Sequence, residues 1–492
     1  MNVPFWPKVL LALLPFVFLF IGILGTKLKT HVVSVFTLLI TTVLALFGWQ
    51  ASWSVIGFSY LEGTIIAIVP IIWVIVMAVF TYEVSVRTES MKKIQIFLEK
   101  ISPEKSIQAI LIAFGFGGFL ESVAGFGTAV AIPTAMLVSI GFDPLKAALI
   151  SLVANSVPVA FGALGIPVVV LSRITDLPLQ GLTSAIAWQL FPFALFIPMV
   201  IVFITREKKK TPPALWGQAF LFGGIFTLIQ LLVALFVGPE LVAVFASLGV
   251  IFTGIILRWP TVKTEIRSLV KPMAPYGFLF ILVLFTRLIP LPQLRTFPFV
   301  LSWNIENHTI TMEWFTTPGT LLLVANLLGS IIQGVSGKIL LDAFVSSITK
   351  LRTSMITILS IVIIAKLMGN TPMVADLSRA LALASGPLFP FFSPLLGALG
   401  TFVTGSDTSS NILFGKLQRD TAKSLSLDPT WIAAANTSGA TAGKMISPQS
   451  IAVASSAVGL QGLEAKILSY SFYFCLGYAG LLGCVVGVVA FL

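Results

Sequence analysis

The stretch Phe119-Leu-Glu-Ser-Val-Ala-Gly-Phe-Gly-Thr128 sets one carboxylate, Glu121, between apolar and glycine-rich flanks. Leu111-Ile-Ala-Phe-Gly-Phe-Gly-Gly118 precedes it and Ala129-Val-Ala-Ile-Pro133 follows. An ionisable group at membrane depth costs roughly 2.5–3.5 kcal/mol on insertion scales, so such a residue is read as functional. The glycines predict a broken backbone at this point rather than a smooth helix.

Composition makes the membrane setting firm. Of 492 residues, 57% are hydrophobic and 10% charged, with a mean hydropathy of +1.02. This is the composition of a polytopic helical membrane protein. The apolar runs are continuous, whereas a transmembrane barrel shows short alternating strands. The net charge of +11 does not point to nucleic acid, because Lys and Arg cluster in short loops between apolar runs. Cys475 and Cys484 share the last apolar run and read as small buried residues, with neither a disulfide framework nor zinc spacing. His31 and His308 fall in expected loops and form no metal pattern, and Gly443-Lys444 lacks the rest of a phosphate loop. Neither a cofactor nor a metal is expected. The N-terminus reads as a retained first span without a cleavage pattern.

Windows of about 20 apolar residues predict spans near 7–25, 31–49, 60–82, 107–120, 127–141, 145–163, 182–205, 217–237, 241–257, 276–289, 318–336, 352–368, 385–403, 430–446 and 467–491. Several are too short to cross. The stretches 107–141 and 385–424 are therefore read as re-entrant hairpins, tolerated only inside protein or along a cavity. The expected fold is all-α and polytopic, one membrane unit over 1–492, with about 12–14 transmembrane helices. Cationic loops at 87–105, 206–210, 258–271 and 338–352 are assigned to the cytoplasm, which leaves 290–316 and both termini outside. Lys416, Arg419 and Lys423 do not fit this count. The segment 88–106 carries Met91, Ile94, Phe97, Leu98 and Ile101 at helical spacing, which fits either an interfacial amphipathic helix or a solvated loop.

The chain contains an internal likeness. Phe142-Asp-Pro-Leu-Lys-Ala-Ala-Leu, Ala154-Asn-Ser156 and Gly165-Ile-Pro167 parallel Leu427-Asp-Pro-Thr-Trp-Ile-Ala-Ala, Ala435-Asn-Thr437 and Ile446-Ser-Pro448. In both, Asn and Pro stand twelve positions apart. Each Asp-Pro pair fits a helix start, with Asp as cap and Pro in the first turn. Two repeat cores follow, about 107–171 and 385–459, and the orientation count makes them inverted. Broken helices at matching places in two halves point to a transporter site at their interface.

The second core carries Thr404-Gly-Ser-Asp-Thr-Ser-Ser-Asn411. Gly405, Ser406, Thr408, Ser409 and Ser410 can offer N–H and hydroxyl donors to an anion. Asp407 fits either a proton acceptor or a half-helix cap. Asn436, Thr437 and Ser438 follow, with Gly439 and Gly443 four apart as in close helix packing. Lys444 fits a counter-charge to a substrate carboxylate, a partner of Glu121 or Asp407, or a snorkelling interfacial lysine. In the first core, Ser122, Gly125, Asn155 and Ser156 are the matching candidates, with Asn155 and Ser156 read as cavity lining or interhelical glue. Lys366 and Asn370 are weaker candidates.

These stretches resemble the bacterial lactate permease family. The likeness rests on Phe119 to Gly127, on Ala154-Asn-Ser-Val-Pro-Val-Ala-Phe-Gly-Ala-Leu-Gly-Ile-Pro167, on Thr404 to Asn411, and on Gly443-Lys-Met-Ile-Ser-Pro-Gln-Ser450, in the family's order. Gly238-Pro-Glu240 adds a weaker match. The resemblance implies uptake of L-lactate, with D-lactate and glycolate, together with protons. It also implies the inverted repeats and elevator-type movement of the ion transporter superfamily, in the bacterial cytoplasmic membrane. Ser122 stands where the family usually has Gly, and Trp188 where many members have Arg before Gln.

The expectation is therefore a secondary active transporter, not an enzyme. It imports L-lactate and related 2-hydroxymonocarboxylates by proton symport, with Glu121 and Asp407 as proton-coupling groups. The alternative is a sodium-coupled or exchange carrier for another small carboxylate. The expected partners are the carboxylate anion, the proton and the lipid bilayer, with homo-oligomerisation left open.

Overall fold

The computed structural model describes residues 5–25, 28–123, 128–206, 212–258, 266–288, 300–305, 308–457 and 464–492. The described chain is helical except for one antiparallel strand pair, Val300–Ile305 and His308–Glu313, with Val300 opposite Glu313 and Ile305 opposite His308. That ribbon lies within the 290–316 segment that hydropathy assigns to a loop. Eleven described helices are long and apolar enough to cross a membrane. Four shorter apolar helices join them: Ala129–Ser139, Pro144–Ala154, Val270–Val283 and Pro318–Gln333.

Both Asp-Pro stretches start helices as their chemistry dictates. Asp143 Oδ1 accepts from the Lys146 N–H at 3.1 Å ahead of Pro144–Ala154, and Asp428 Oδ1 accepts from the Thr430 N–H at 2.8 Å ahead of Pro429–Ile446. Each is preceded by two helices: Lys105–Val123 and Thr128–Ser139 in the first case, Phe389–Thr404 and Asp407–Ser424 in the second, where Gly405 in left-handed backbone parts them. Each is followed by a break. The first runs through the 3₁₀ turn Pro158–Phe161 into Gly162–Thr175, and the second passes Ser447 into Pro448–Ala457. The same order of elements thus occurs twice.

The break after Gly162 is abrupt. Ala163, Leu164 and Gly165 all have positive φ, at 43°, 58° and 73°. Left-handed backbone costs a side-chain-bearing residue roughly 1–2 kcal/mol, so packing must hold Ala163 and Leu164 there. Gly165 abuts the Pro239 backbone, where an added Cβ would come within 2.6 Å of the Pro239 carbonyl carbon.

In the second half, Phe389–Thr404 and Pro429–Ile446 lie backbone to backbone. A Cβ on Gly439 would strike the Pro394 carbonyl oxygen, and one on Gly443 the Ala398 carbonyl oxygen. The four-residue glycine spacing therefore does serve close helix packing.

Three sequence expectations are corrected. The span at 352–368 is part of the 34-residue helix Gly337–Asn370. At about 1.5 Å per residue this helix is roughly 50 Å long and exceeds the hydrocarbon core. Lys338, Asp342, Lys350 and Arg352 on its first half end any hydropathy window early, and Lys350 and Ser346 there bind the buried Glu83. The helix Ser90–Ile101 buries Met91, Ile94, Phe97, Leu98 and Ile101 against the protein, so its apolar face covers the bundle rather than lipid. Cys475 is buried as expected, but Cys484 is exposed.

The cations that upset the topology count have local employment. Lys416 Nζ donates to the Gly369 carbonyl at 2.6 Å, and Arg419 Nη1 to the Thr175 carbonyl at 2.5 Å. Each carbonyl sits at the C-terminal end of a helix, where a cation is favoured by the macrodipole. Lys423 lies in the last turn of its own helix. Lys366 and Asn370 both bind Glu62, at 2.7 and 3.0 Å, and so tie Gly337–Asn370 to Trp53–Ile66.

Candidate functional site

Glu121 lies near the end of Gly117–Val123 and is only 4% exposed. Its Oε2 accepts from Asn155 Nδ2 at 3.1 Å, and Asn155 caps the end of Pro144–Ala154. Oε1 lies against Gly162, where a Cβ would approach to 3.0 Å. The carboxyl is therefore held between the end of Pro144–Ala154 and the start of Gly162–Thr175.

Asp407 opens the helix Asp407–Ser424 and is 2% exposed. The cap of that helix is Ser406, whose Oγ accepts from the Ser409 N–H at 3.3 Å. The capping role that Asp407 fitted in the sequence is thus taken by its neighbour. Among the described residues, neither carboxyl oxygen of Asp407 has a hydrogen-bond partner. A buried group of this kind is unusual and calls for an explanation.

Lys444, 8% exposed, enters from the end of Pro429–Ile446. Its Nζ donates to the Gly405 carbonyl at 2.7 Å. Gly405 has φ +73°, a value glycine adopts freely, and it caps the C-terminus of Phe389–Thr404. The ammonium thus meets the negative end of one half-helix, two residues before the positive end of the next begins. Lys444 lies within electrostatic reach of both Glu121 and Asp407, and the two carboxyls reach each other. Three buried ionisable groups, each at or near a helix end, share one neighbourhood, with neither carboxyl facing outward.

A hydrogen-bonded chain joins the two halves beside them. Gln418 Nε2 donates to Asn436 Oδ1 at 2.7 Å, and Asn436 Nδ2 donates to Asn411 Oδ1 at 2.8 Å. Asn411 Nδ2 then donates to the Pro167 carbonyl at 3.0 Å, across to the first half. Thr437 Oγ1 also donates to Asn411 Oδ1, at 3.0 Å. Ser393 and Gln418 bind each other by hydroxyl and amide.

The other expected site residues divide by what their polar atoms do. Ser122 and Ser156 donate to carbonyls of their own turns, Phe119 and Val153, each at 2.7 Å. Ser410 Oγ donates to Gly397 at 2.8 Å and fastens the arms of the second hairpin. Thr408 is half-buried and Ser409 buried. Ser438 Oγ and Asn155 Oδ1 are buried without a partner among the described residues. Gly125 lies outside the described residues. Asn411, Gln418 and Ser393 were not among the expected site residues. Asn411 and Gln418 fall four and eleven positions after Asp407, which puts all three on one helical face, and that periodicity is the signal that marks them.

The profile of the L-lactate permease family matches residues 8–492. The chain belongs to the L-lactate permease family. It is 35% identical over 448 residues to an L-lactate permease of Streptococcus iniae, covering 87% of this chain and 93% of the relative. It is 34% identical over 520 residues to an L-lactate permease of Bacillus subtilis (strain 168), with 94% and 92% coverage. It is 31% identical over 535 residues to the glycolate permease GlcA of Escherichia coli (strain K12), with 97% and 94% coverage. Family and spans together make it a multi-pass membrane transporter, of the inner membrane in bacteria, and not an enzyme.

The departure at Trp188 sits away from the charged cluster. Trp188 is half-exposed on the outside of Leu179–Thr205 and stacks on Phe191, while the next residue, Gln189, turns inward and donates to the Trp431 carbonyl at 2.8 Å.

Proposed function

We propose that the chain imports L-lactate and related 2-hydroxymonocarboxylates, D-lactate and glycolate among them, by proton symport. The site lies between two inverted repeats, about 107–171 and 385–459. Its relatives named L-lactate and glycolate permeases support the substrate class. The observation that carries the coupling is the pair of buried carboxyls, one from each half, gathered around the single ammonium of Lys444.

The charge arithmetic gives the mechanism. With all three groups ionised the cluster carries one net negative charge. A lactate anion drawn to Lys444 and to the N-terminus of Asp407–Ser424 would raise that to two in a water-poor setting. Like charges at close range in low dielectric repel by several kcal/mol. Uptake of one proton by Glu121 or Asp407 relieves this, so anion and proton each favour the other's binding. Release of the anion on the far side favours release of the proton for the same reason. Asn155 positions Glu121, and the Gln418–Asn436–Asn411 chain holds the second hairpin against the first half.

The test is uptake of labelled L-lactate into proteoliposomes under an imposed pH gradient, with and without sodium. The expected result is gradient-driven accumulation that is indifferent to sodium and competed by D-lactate and glycolate. Uptake that follows sodium and ignores the pH gradient would establish the sodium-coupled alternative instead.

A further inference from the structure

We infer that Gln449 is a specificity-determining residue of the carboxylate site, engaging the 2-hydroxyl of the substrate. This rests on the substrate reading above. Within 432–451, Pro448 and Gln449 are the two exposed residues in an otherwise buried run. Gln449 stands in the first turn of Pro448–Ala457, immediately past Ser447, which ends the helix carrying Lys444. Its side chain lies over Gly405. A Cβ at Gly405 would sit 3.0 Å from both Cβ and Cδ of Gln449 and would overlap Oε1. The Gly405 carbonyl is in turn the acceptor of Lys444 Nζ. The amide therefore borders, from the exposed side, the same helix break that Lys444 binds and that Asp407 follows by two residues.

The chemistry of that neighbourhood is divided. Lys444 supplies donors to a carboxylate and nothing that accepts. Asp407 can accept from a hydroxyl in either protonation state but can donate to one only while it carries the coupled proton. A terminal amide carries a carbonyl acceptor and two N–H donors on one rotatable group. It can thus meet a hydroxyl in either sense while Lys444 holds the adjacent carboxylate. A simple carboxylate such as propionate has no 2-oxygen and leaves the amide unused. Gln449 accordingly adds affinity for 2-hydroxy acids and none for acids that lack the hydroxyl.

The experiment compares wild type with Gln449→Met and Gln449→Ala in proteoliposomes, reading the KM for L-lactate and the inhibition constant of propionate in each. The same pair is read by competition for labelled lactate binding to purified protein, which serves a variant too slow to assay by flux. A position this exposed tolerates both substitutions, and a ratio taken within each variant is independent of the amount of active protein. The expected result is a roughly 2–10-fold loss of lactate affinity, the worth of one hydrogen bond, with propionate within twofold of wild type. Lactate and propionate shifting together, or neither shifting, overturns the assignment while leaving lactate transport intact. Wild-type protein that takes up no lactate overturns the substrate reading itself and the assignment with it.

Discussion

Replacing Asn411 by Ala tests the junction between the two halves of the molecule. The side chain is fully buried and makes three hydrogen bonds, to Asn436, Thr437 and the Pro167 carbonyl. The three losses are unequal. The Thr437 hydroxyl can rotate onto a carbonyl of its own helix, as serines and threonines elsewhere in this chain do. Pro167 retains the backbone acceptor capacity of a helical carbonyl. The Asn436 amide N–H has no such recourse and stays buried. Interhelical hydrogen bonds in membrane proteins average about 0.6 kcal/mol, so three come to about 2 kcal/mol. Reversible unfolding in mixed micelles should show that loss. Asn411→Ala and Asn436→Ala should also couple, their combined effect falling short of additivity by about 1 kcal/mol. Asn411→Ala and the remote Glu62→Gln should add. Additivity in the first pair, or a loss below about 0.5 kcal/mol, would refute the reasoning, since a typical membrane hydrogen bond already exceeds that value.

Further outcomes follow from the same geometry. Gly439→Ala drives a methyl into the Pro394 carbonyl, and overpacking of this kind costs about 1–3 kcal/mol, read as a lower melting temperature in detergent. Gly405→Ala adds the left-handed backbone penalty to a collision with Gln449; transport should fall sharply and, at saturating lactate, recover only in part with Gln449→Ala, which removes the amide from the collision but leaves its Cβ 3.0 Å from the added methyl. Lys366→Met leaves the half-buried Glu62 without its cation, so it should destabilise by about 1–3 kcal/mol, and adding Glu62→Gln should restore most of the loss. Ser406→Ala removes the cap of Asp407–Ser424 and should cost about 1 kcal/mol, with full-length protein still inserted in the membrane.

Much of this organisation was legible from residue types alone. The Asp-Pro pairs announced two helix starts, and the glycine-containing stretch at Gly405 announced a break; the break expected beside Glu121 falls on 124–127, outside the described residues. What escaped had physical causes. The left-handed turn at 163–165 uses Ala and Leu, residues with no preference for it, so local propensity gives no sign of it; the Gly165 backbone there lies against Pro239. The positive-inside count assumes that cations serve loops, whereas Lys416 and Arg419 serve helix C-termini. The length of Gly337–Asn370 was hidden because its first half is charged. The amphipathic face of Ser90–Ile101 was plain in sequence, but periodicity cannot say whether lipid or protein covers it. The hub at Asn411 needed two residues far apart in sequence, Pro167 and Asn436, to be brought to one side chain.

Proton movement driven by lactate tests the central claim most directly. Proteoliposomes loaded with a pH-sensitive dye and given an inward lactate gradient should acidify inside with wild-type protein. Glu121→Gln and Asp407→Asn, measured separately, should leave lactate binding detectable, and at least one should abolish the acidification. Lactate entry without acidification in wild type, or acidification at the wild-type ratio of protons to lactate in both variants, would contradict the account.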